Sequence, residues 1–298
     1  MQASQSDAAI VEEPFTSLHI TSKSVEYGAA LRQPLYESLS QTLTLTAAAD
    51  WRESDAFLLD RPFDLSPGSI DGVTKIFALR FTLDYLNRTE QHVLALRSTV
   101  SVGLDAFGAT RHDQEPGRAG ATGQYQQRLP DGKFIAWLGQ AQYLQRLLNS
   151  DNLAVLKLNA QWSGDPLLSL EQFSLGGASS VRGYRENQLL RDNGLFTSLE
   201  FRIPVWRSKT KTPIVTLAPF VDFGLGWDNV DYIGARPSVV DHRYETLSSI
   251  GAGVIFTPVK NVTAQLYWGY ALNRKNIVPG GQNLQDYGLH FSLSINAF

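Results

Sequence analysis

The chain has 298 residues, no cysteine, one methionine and a formal net charge of −3, with 43% hydrophobic, 11% aromatic and 18% charged residues. The apolar share excludes a disordered chain, and the lack of cysteine excludes disulfide scaffolds and Cys-ligated zinc or iron–sulfur centres. No basic surplus is present to neutralise phosphates, so nucleic acid is not an expected partner, and no apolar run reaches the roughly 18 residues of a membrane helix. A spanning barrel stays open, because its strands carry apolarity only at every second residue.

Residues 1–15 (MQASQSDAAIVEEPF) have neither a basic start nor an apolar core of about 7–15 residues. They read as an unstructured leader that is not a signal peptide. From residue 16 onward, period-2 alternation recurs and helical periodicity is hard to find. Stretch 17–22 is a weak strand candidate, and 27–31 and 43–49 are stronger ones. In 75–85, Phe77, Leu79, Phe81, Leu83 and Tyr85 alternate with Ala78, Arg80, Thr82 and Asp84. In 94–104, Leu94, Leu96, Val100, Val102 and Leu104 face away from Arg97, Thr99 and Ser101. The pair 135–143 and 156–162 sets Ile135, Trp137, Tyr143, Leu156, Leu158 and Trp162 against Gln140, Gln142, Lys157, Asn159 and Gln161. Later strands are expected at 195–205, 215–227, 250–256 and 262–272, with a last one ending at Phe298. The sum, about eleven or twelve strands, predicts an all-β protein.

Alternation alone fits a soluble sandwich or a membrane barrel. Two features favour the barrel. The polar faces carry long charged and amide side chains, which suit a wet interior, while Trp51, Trp137, Trp162, Trp206, Trp227 and Trp268 fall in or near strand ends, where interfacial girdles form. Connections also alternate: 87–91 and 258–261 are tight, whereas 108–133 and 228–246 are long and polar. Short turns on one side and long loops on the other are typical of outer-membrane barrels. The fold class is therefore read as a transmembrane antiparallel β-barrel.

The least ordinary stretch is 172–204, QFSLGGASSVRGYRENQLLRDNGLFTSLEFRIP. Gly176 and Gly177 permit sharp backbone conformations and read as a loop hinge. Val181, Arg182, Gly183 and Tyr184 follow, and a return strand puts Glu200 and Arg202 on its polar face. Further on, Asp222 occupies the polar face of Pro219-Phe220-Val221-Asp222-Phe223-Gly224, with Val221 and Phe223 opposite. An arginine in a long loop is commonly a solvated surface group. If the loop folds inward, Arg182 becomes a partner for Asp222, since a guanidinium can engage a carboxylate bidentately.

The stretch Phe173-Ser174-Leu175-Gly176-Gly177, then Val181-Arg182-Gly183-Tyr184, the Ser198-Leu199-Glu200-Phe201 strand and Phe220-Val221-Asp222-Phe223-Gly224 together resemble the outer-membrane transporters of two-partner secretion. These are of the haemolysin secretion/activation type (ShlB/FhaC/HecB), in the superfamily of barrel assembly factors. The resemblance covers roughly residues 16–298. It implies an outer-membrane pore that exports a large exoprotein without ATP or cofactor. It also implies that the loop arginine, here Arg182, contacts a lumen-facing acid, here Asp222. The implied partners are the exoprotein, the barrel assembly machinery and outer-membrane lipid, with the pore itself a monomer. The family's POTRA domains and about sixteen strands exceed what is found here. The chain therefore reads as a C-terminal barrel region at 16–298 lacking POTRA domains. Phe298 is the expected C-terminal assembly signal, although it is out of step with Leu289, Phe291, Leu293 and Ile295. A barrel assembly or insertion factor and a passive barrel are the alternatives.

Other chemistry is not expected. His19, His92, His112, His242 and His290 show no metal-ligand spacing and read as surface or loop residues. No G-x-S-x-G, phosphate-binding loop or paired-carboxylate pattern occurs, so neither metal nor catalytic residues are assigned.

Overall fold

The computed structural model describes residues 2–9, 18–112, 126–127, 129–147, 151–229, 232–233, 244–273 and 283–296. The strands are β1 (Gln2–Ala9), β2 (Thr21–Glu37), β3 (Gln41–Leu58), β4 (Arg61–Pro62), β5 (Val73–Arg88), β6 (His92–Gly103) and β7 (Gln126–Gln127). They continue as β8 (Ile135–Arg146), β9 (Leu153–Ser163), β10 (Phe173–Leu175), β11 (Leu189–Arg191) and β12 (Asn193–Arg207). The last are β13 (Pro213–Trp227), β14 (Tyr232–Ile233), β15 (Glu245–Val259), β16 (Val262–Ala271) and β17 (Leu289–Ile295).

Twelve of these form one antiparallel meander in the order β1-β2-β3-β5-β6-β8-β9-β12-β13-β15-β16-β17, with β4 paired to β3. Among the described residues β1 and β17 are its two edges and do not pair with each other. The connections repeat the short–long alternation. Three residues separate β5 from β6 and two separate β15 from β16, whereas 164–192 lie between β9 and β12. Two of the long connections touch, since β7 pairs with β14.

Most large apolar side chains of the strands point outward. On β13, Leu217, Val221 and Phe223 are exposed while Ala218, Phe220 and Asp222 are buried. On β12, Phe201 and Ile203 face out while Ser198 and Glu200 face in. Trp137 and Trp162 sit directly opposite each other on the outer face, Trp162 at 60% exposure. Such a continuous apolar exterior is foreign to a water-soluble surface, whose patches stay within a few hundred Å². In lipid it is the low-energy side. This rules out the sandwich, whose apolar face would be the covered one.

Three expectations change. Residues 1–15 were expected to be an unstructured leader, yet Gln2–Ala9 pair as β1 with β2, from Gln2 opposite Gly28 to Ala9 opposite Thr21. QASQSDAA has no apolar period to reveal this; the pairing rests on backbone hydrogen bonds along an exposed edge. The candidates 17–22 and 27–31 are not separate strands, since 21–37 form the single strand β2. Its first residues, Thr21–Ser24, are polar on both faces and so carry no alternating signal. Finally, His290 is not a surface residue: it is 6% exposed and faces inward, because Leu289 and Phe291 on either side turn outward. Phe298 lies outside the described residues.

Candidate functional site

The connection 164–192 covers the inner face of the sheet. Its two arms pair as β10 with β11, Phe173 opposite Arg191 and Leu175 opposite Leu189. Beyond β10, Gly176 and Gly177 take φ of +105° and +99°, the left-handed region open to glycine. Gly177 N–H donates to the Val181 carbonyl at 3.2 Å, closing the turn that presents the next residues to the wall.

Val181 is fully buried among Phe173, Leu175, Tyr184, Phe196, Leu247 and Ala271. This apolar knob sets the depth at which Arg182 meets β12 and β13. Arg182 is 6% exposed. Its Nε donates to Asp222 Oδ2 at 2.8 Å and its Nη2 to Oδ1 at 2.7 Å. Its backbone N–H also donates to Oδ2, at 3.0 Å. Nη1 donates to Glu200 Oε2 at 2.5 Å, and Nη2 to Ser198 Oγ at 3.0 Å. The guanidinium lies 3.5 Å from the Phe220 ring centroid and 4.8 Å from that of Tyr267. Desolvated cation–π contacts reach about 2 kcal/mol or more each. Glu200 in turn accepts from Arg202 Nε at 2.8 Å and from the Tyr267 hydroxyl at 3.4 Å. Two buried carboxylates are thus shared between two guanidinium groups, and every charge has a partner, as burial demands.

The rest of the motif is tied as firmly. Gly183 has φ +94°, and a Cβ there would sit 2.8 Å from the Gly269 carbonyl oxygen of β16. Only glycine allows the loop to lie this close to the wall. Gly183 N–H donates to His290 Nε2 at 3.1 Å, which places the imidazole proton on Nδ1 by inference from the bond. The Tyr184 hydroxyl donates to the Ser248 carbonyl at 3.0 Å and accepts from Asn273 N–H at 3.1 Å. Arg185 meets Asp286 in the connection before β17, Nε to Oδ1 and Nη2 to Oδ2, both at 2.6 Å. That pairing holds the Asp286 carboxyl below its ordinary pKa.

The structure brings Arg182 and Asp222 together and places Val181, Gly183 and Tyr184 on the same wall. Sequence reasoning missed Glu200, Ser198, Phe220, Tyr267 and His290 as members of the cluster. The signal was present in part. Alternation puts Ser198, Glu200, Phe220 and Asp222 on one face, and the register sets Ser198 opposite Asp222 and Glu200 opposite Phe220. Among the described residues no group of three or more His, Cys, Asp or Glu is arranged to hold a metal ion. The arrangement is a clamp that fixes a long loop on the inner face of a sheet.

Comparison with known proteins agrees with this architecture. The chain is 31% identical over 120 residues to the outer membrane transporter CdiB of Escherichia coli O6:K15:H31 (strain 536 / UPEC), a stretch of 40% of this chain and 18% of that transporter. The structure of CdiB from Escherichia coli superposes with a TM-score of 0.69 at 20% identity, over 98% of this chain and 49% of that one. CdiB from Acinetobacter baumannii gives 0.61 at 17% identity, over 98% and 46%. BamA from Haemophilus ducreyi lacking POTRA domains 1–3 shares the fold at a TM-score of 0.56 and 12% identity, over 98% and 61%. The chain thus spans about half the length of the CdiB structures it matches. The model of the family described as haemolysin secretion/activation protein ShlB/FhaC/HecB matches residues 1–254, and the chain belongs to that family of outer-membrane β-barrel transporters.

Proposed function

We propose that this chain supplies twelve strands of the wall of an outer-membrane pore, together with the loop that occupies it. The pore passes a large secreted exoprotein from the periplasm to the cell surface. The single observation that carries this reading is the Arg182 clamp: a loop of 29 residues, 164–192, is held on the polar inner face by a buried arginine between two carboxylates. A passive barrel has no need to bury so many paired charges in order to seat one loop. A translocation pore does, because the loop must close the path at rest and hold a defined place when a chain passes. The inner wall offers an extended polypeptide donors and acceptors on Thr82, Thr99, Gln140, Asn159 and Lys157. The outer face contacts lipid. Barrel assembly machinery inserts the strands, the pore acts as a monomer, and residues 2–9 join 16–298 in its barrel region. No cofactor takes part.

The test is deletion of 164–192 behind a short linker in the full-length protein. Steady conductance in planar bilayers should rise severalfold, and export of the exoprotein should change. An unaltered conductance would show that the loop does not occupy the pore.

A further inference from the structure

The connection 164–192 docks on the wall a first time before it reaches the Arg182 clamp. Leu167 and Leu168, 1% and 0% exposed, pack with Leu170 on Ile76, Ala78, Phe134 and Ala136. A single 3-10 turn, Ser169–Glu171, then lowers Glu171 onto β5 and β3. Arg80 Nη2 donates to Glu171 Oε1 at 2.6 Å and Nη1 to Oε2 at 3.0 Å, a bidentate pair. Arg52 Nη1 adds a contact to Oε1 at 3.4 Å. Arg80 is itself aimed by Asp50, at 2.9 Å from Nε, and by Ser101 Oγ, at 2.7 Å from Nη1. Only 7% of the Glu171 side chain is exposed.

We propose that Glu171 is a second positioning residue of the same loop, an independent latch whose keepers are Arg80 and Arg52. This rests on the reading of 164–192 as the loop that occupies the pore. Each docking point combines an apolar knob with a bidentate ion pair, and the two apolar clusters share no residue. Their polarity is opposite. At the first point the loop brings a carboxylate to a guanidinium on the wall; at the second it brings a guanidinium to carboxylates on the wall. Exchanging the two would set Glu171 against Asp222 and Glu200, and Arg182 against Arg80. Like charges therefore forbid the wrong docking as firmly as unlike charges favour the right one. The two docking sites are far apart along the sheet, since β6, β8, β9 and β12 lie between Arg80 on β5 and Asp222 on β13. Between the arms, the stem is fixed by Gln161, whose amide donates to the carbonyls of Glu171 at 2.9 Å and Asp192 at 3.1 Å. The Glu171 side chain can leave its keepers while this stem and the other arm stay in place, so full clearance of the inner face requires both latches to open.

The chain has no cysteine, so single thiols introduced into it report each latch in detergent. Ala136→Cys lies under the first knob and Ala271→Cys under the second. With Glu171→Gln, maleimide labelling at Ala136→Cys should accelerate at least about tenfold, because hydrogen bonds to a charged group are lost, while labelling at Ala271→Cys stays unchanged. Arg182→Ala should do the reverse. Arg52→Gln, which spares the Arg80 pair, should give a smaller rise at Ala136→Cys alone. Unchanged labelling at Ala136→Cys in Glu171→Gln overturns the proposal, and so does an equal rise at both thiols, which would mean one cooperative loop. The readout is docking and not transport, so it can fail while the pore assignment stands, and the deletion experiment can fail while the latch stands.

Discussion

Arg182 meets Asp222 along its whole edge: Nε and Nη2 each donate to one carboxylate oxygen, at 2.8 and 2.7 Å, and the Arg182 backbone N–H adds a third bond at 3.0 Å. The Asp222 side chain is completely buried. The loop's main chain and its charge are therefore bound to one wall residue, so backbone position and ionic pairing cannot be separated.

Arg182→Ala should release the second arm of the loop by leaving Asp222 and Glu200 buried without their cation, at a cost of about 3–5 kcal/mol. Arg182→Lys should recover only part of this, because an ammonium cannot span both oxygens and keep the contact to Glu200. Protease sensitivity of 164–192 in the folded protein measures it. Equal resistance of wild type and Arg182→Ala would mean that the apolar knob around Val181 seats the second arm without the ion pair.

Much of this clamp was legible in the sequence, and the reason is the period of the strand. Val221 and Phe223 turn outward on β13, so Asp222 must turn inward. The same logic reaches Glu200 on β12 and His290 on β17, although His290 was read as a surface group. What alternation cannot supply is register. Whether Arg182 finds Asp222, Glu200 or both depends on Ser198 lying opposite Asp222 across β12 and β13. Nor can it reveal β1, whose polar residues pair through the backbone, or the docking of Leu167 and Leu168, which stand in a loop with no period at all. The fold is legible where one face meets lipid, and illegible where both faces are wet.

Gly183→Ala should loosen the loop about as much as losing the arginine, although no charge changes. The residue sits at φ +94° and its new Cβ would lie 2.8 Å from the Gly269 carbonyl oxygen. Strain of about 1–3 kcal/mol adds to that collision. The expected signature is a faster hydrogen exchange at the Arg182 and Gly183 amides, with the exchange of β12 and β13 unchanged. Slow exchange at both amides in Gly183→Ala would show that the backbone has room the geometry denies.

Tyr184→Phe isolates a single hydroxyl. It removes the donor to the Ser248 carbonyl and the acceptor of the Asn273 N–H, while the ring keeps its place beside Val181 and Leu247. Each lost bond is worth about 1 kcal/mol. Thermal unfolding in detergent should show a modest decrease, clearly smaller than that of Tyr184→Ala, which also opens a cavity in the knob. A Phe variant as unstable as the Ala variant would assign the tyrosine's role to its hydroxyl and not to its packing.

The tie between Arg185 and Asp286 should make the outer end of the loop sensitive to acid. Hydrogen bonding to Arg185 holds the Asp286 carboxyl below the ordinary aspartate value of 3.8. A group with a depressed folded pKa contributes stability that is fully present above the unfolded value and is lost as the pH falls through the folded one. Docking of 183–186 on 283–288 should thus be constant at neutral and mildly acidic pH and weaken only in strong acid. Asp286→Asn removes the charge at every pH, so it should weaken the tie throughout and abolish its acid dependence. Hydrogen exchange of the Glu186 amide, which donates to Gln285 Oε1 at 3.1 Å, reads this contact directly. An unchanged acid profile in Asp286→Asn would place the titrating group elsewhere.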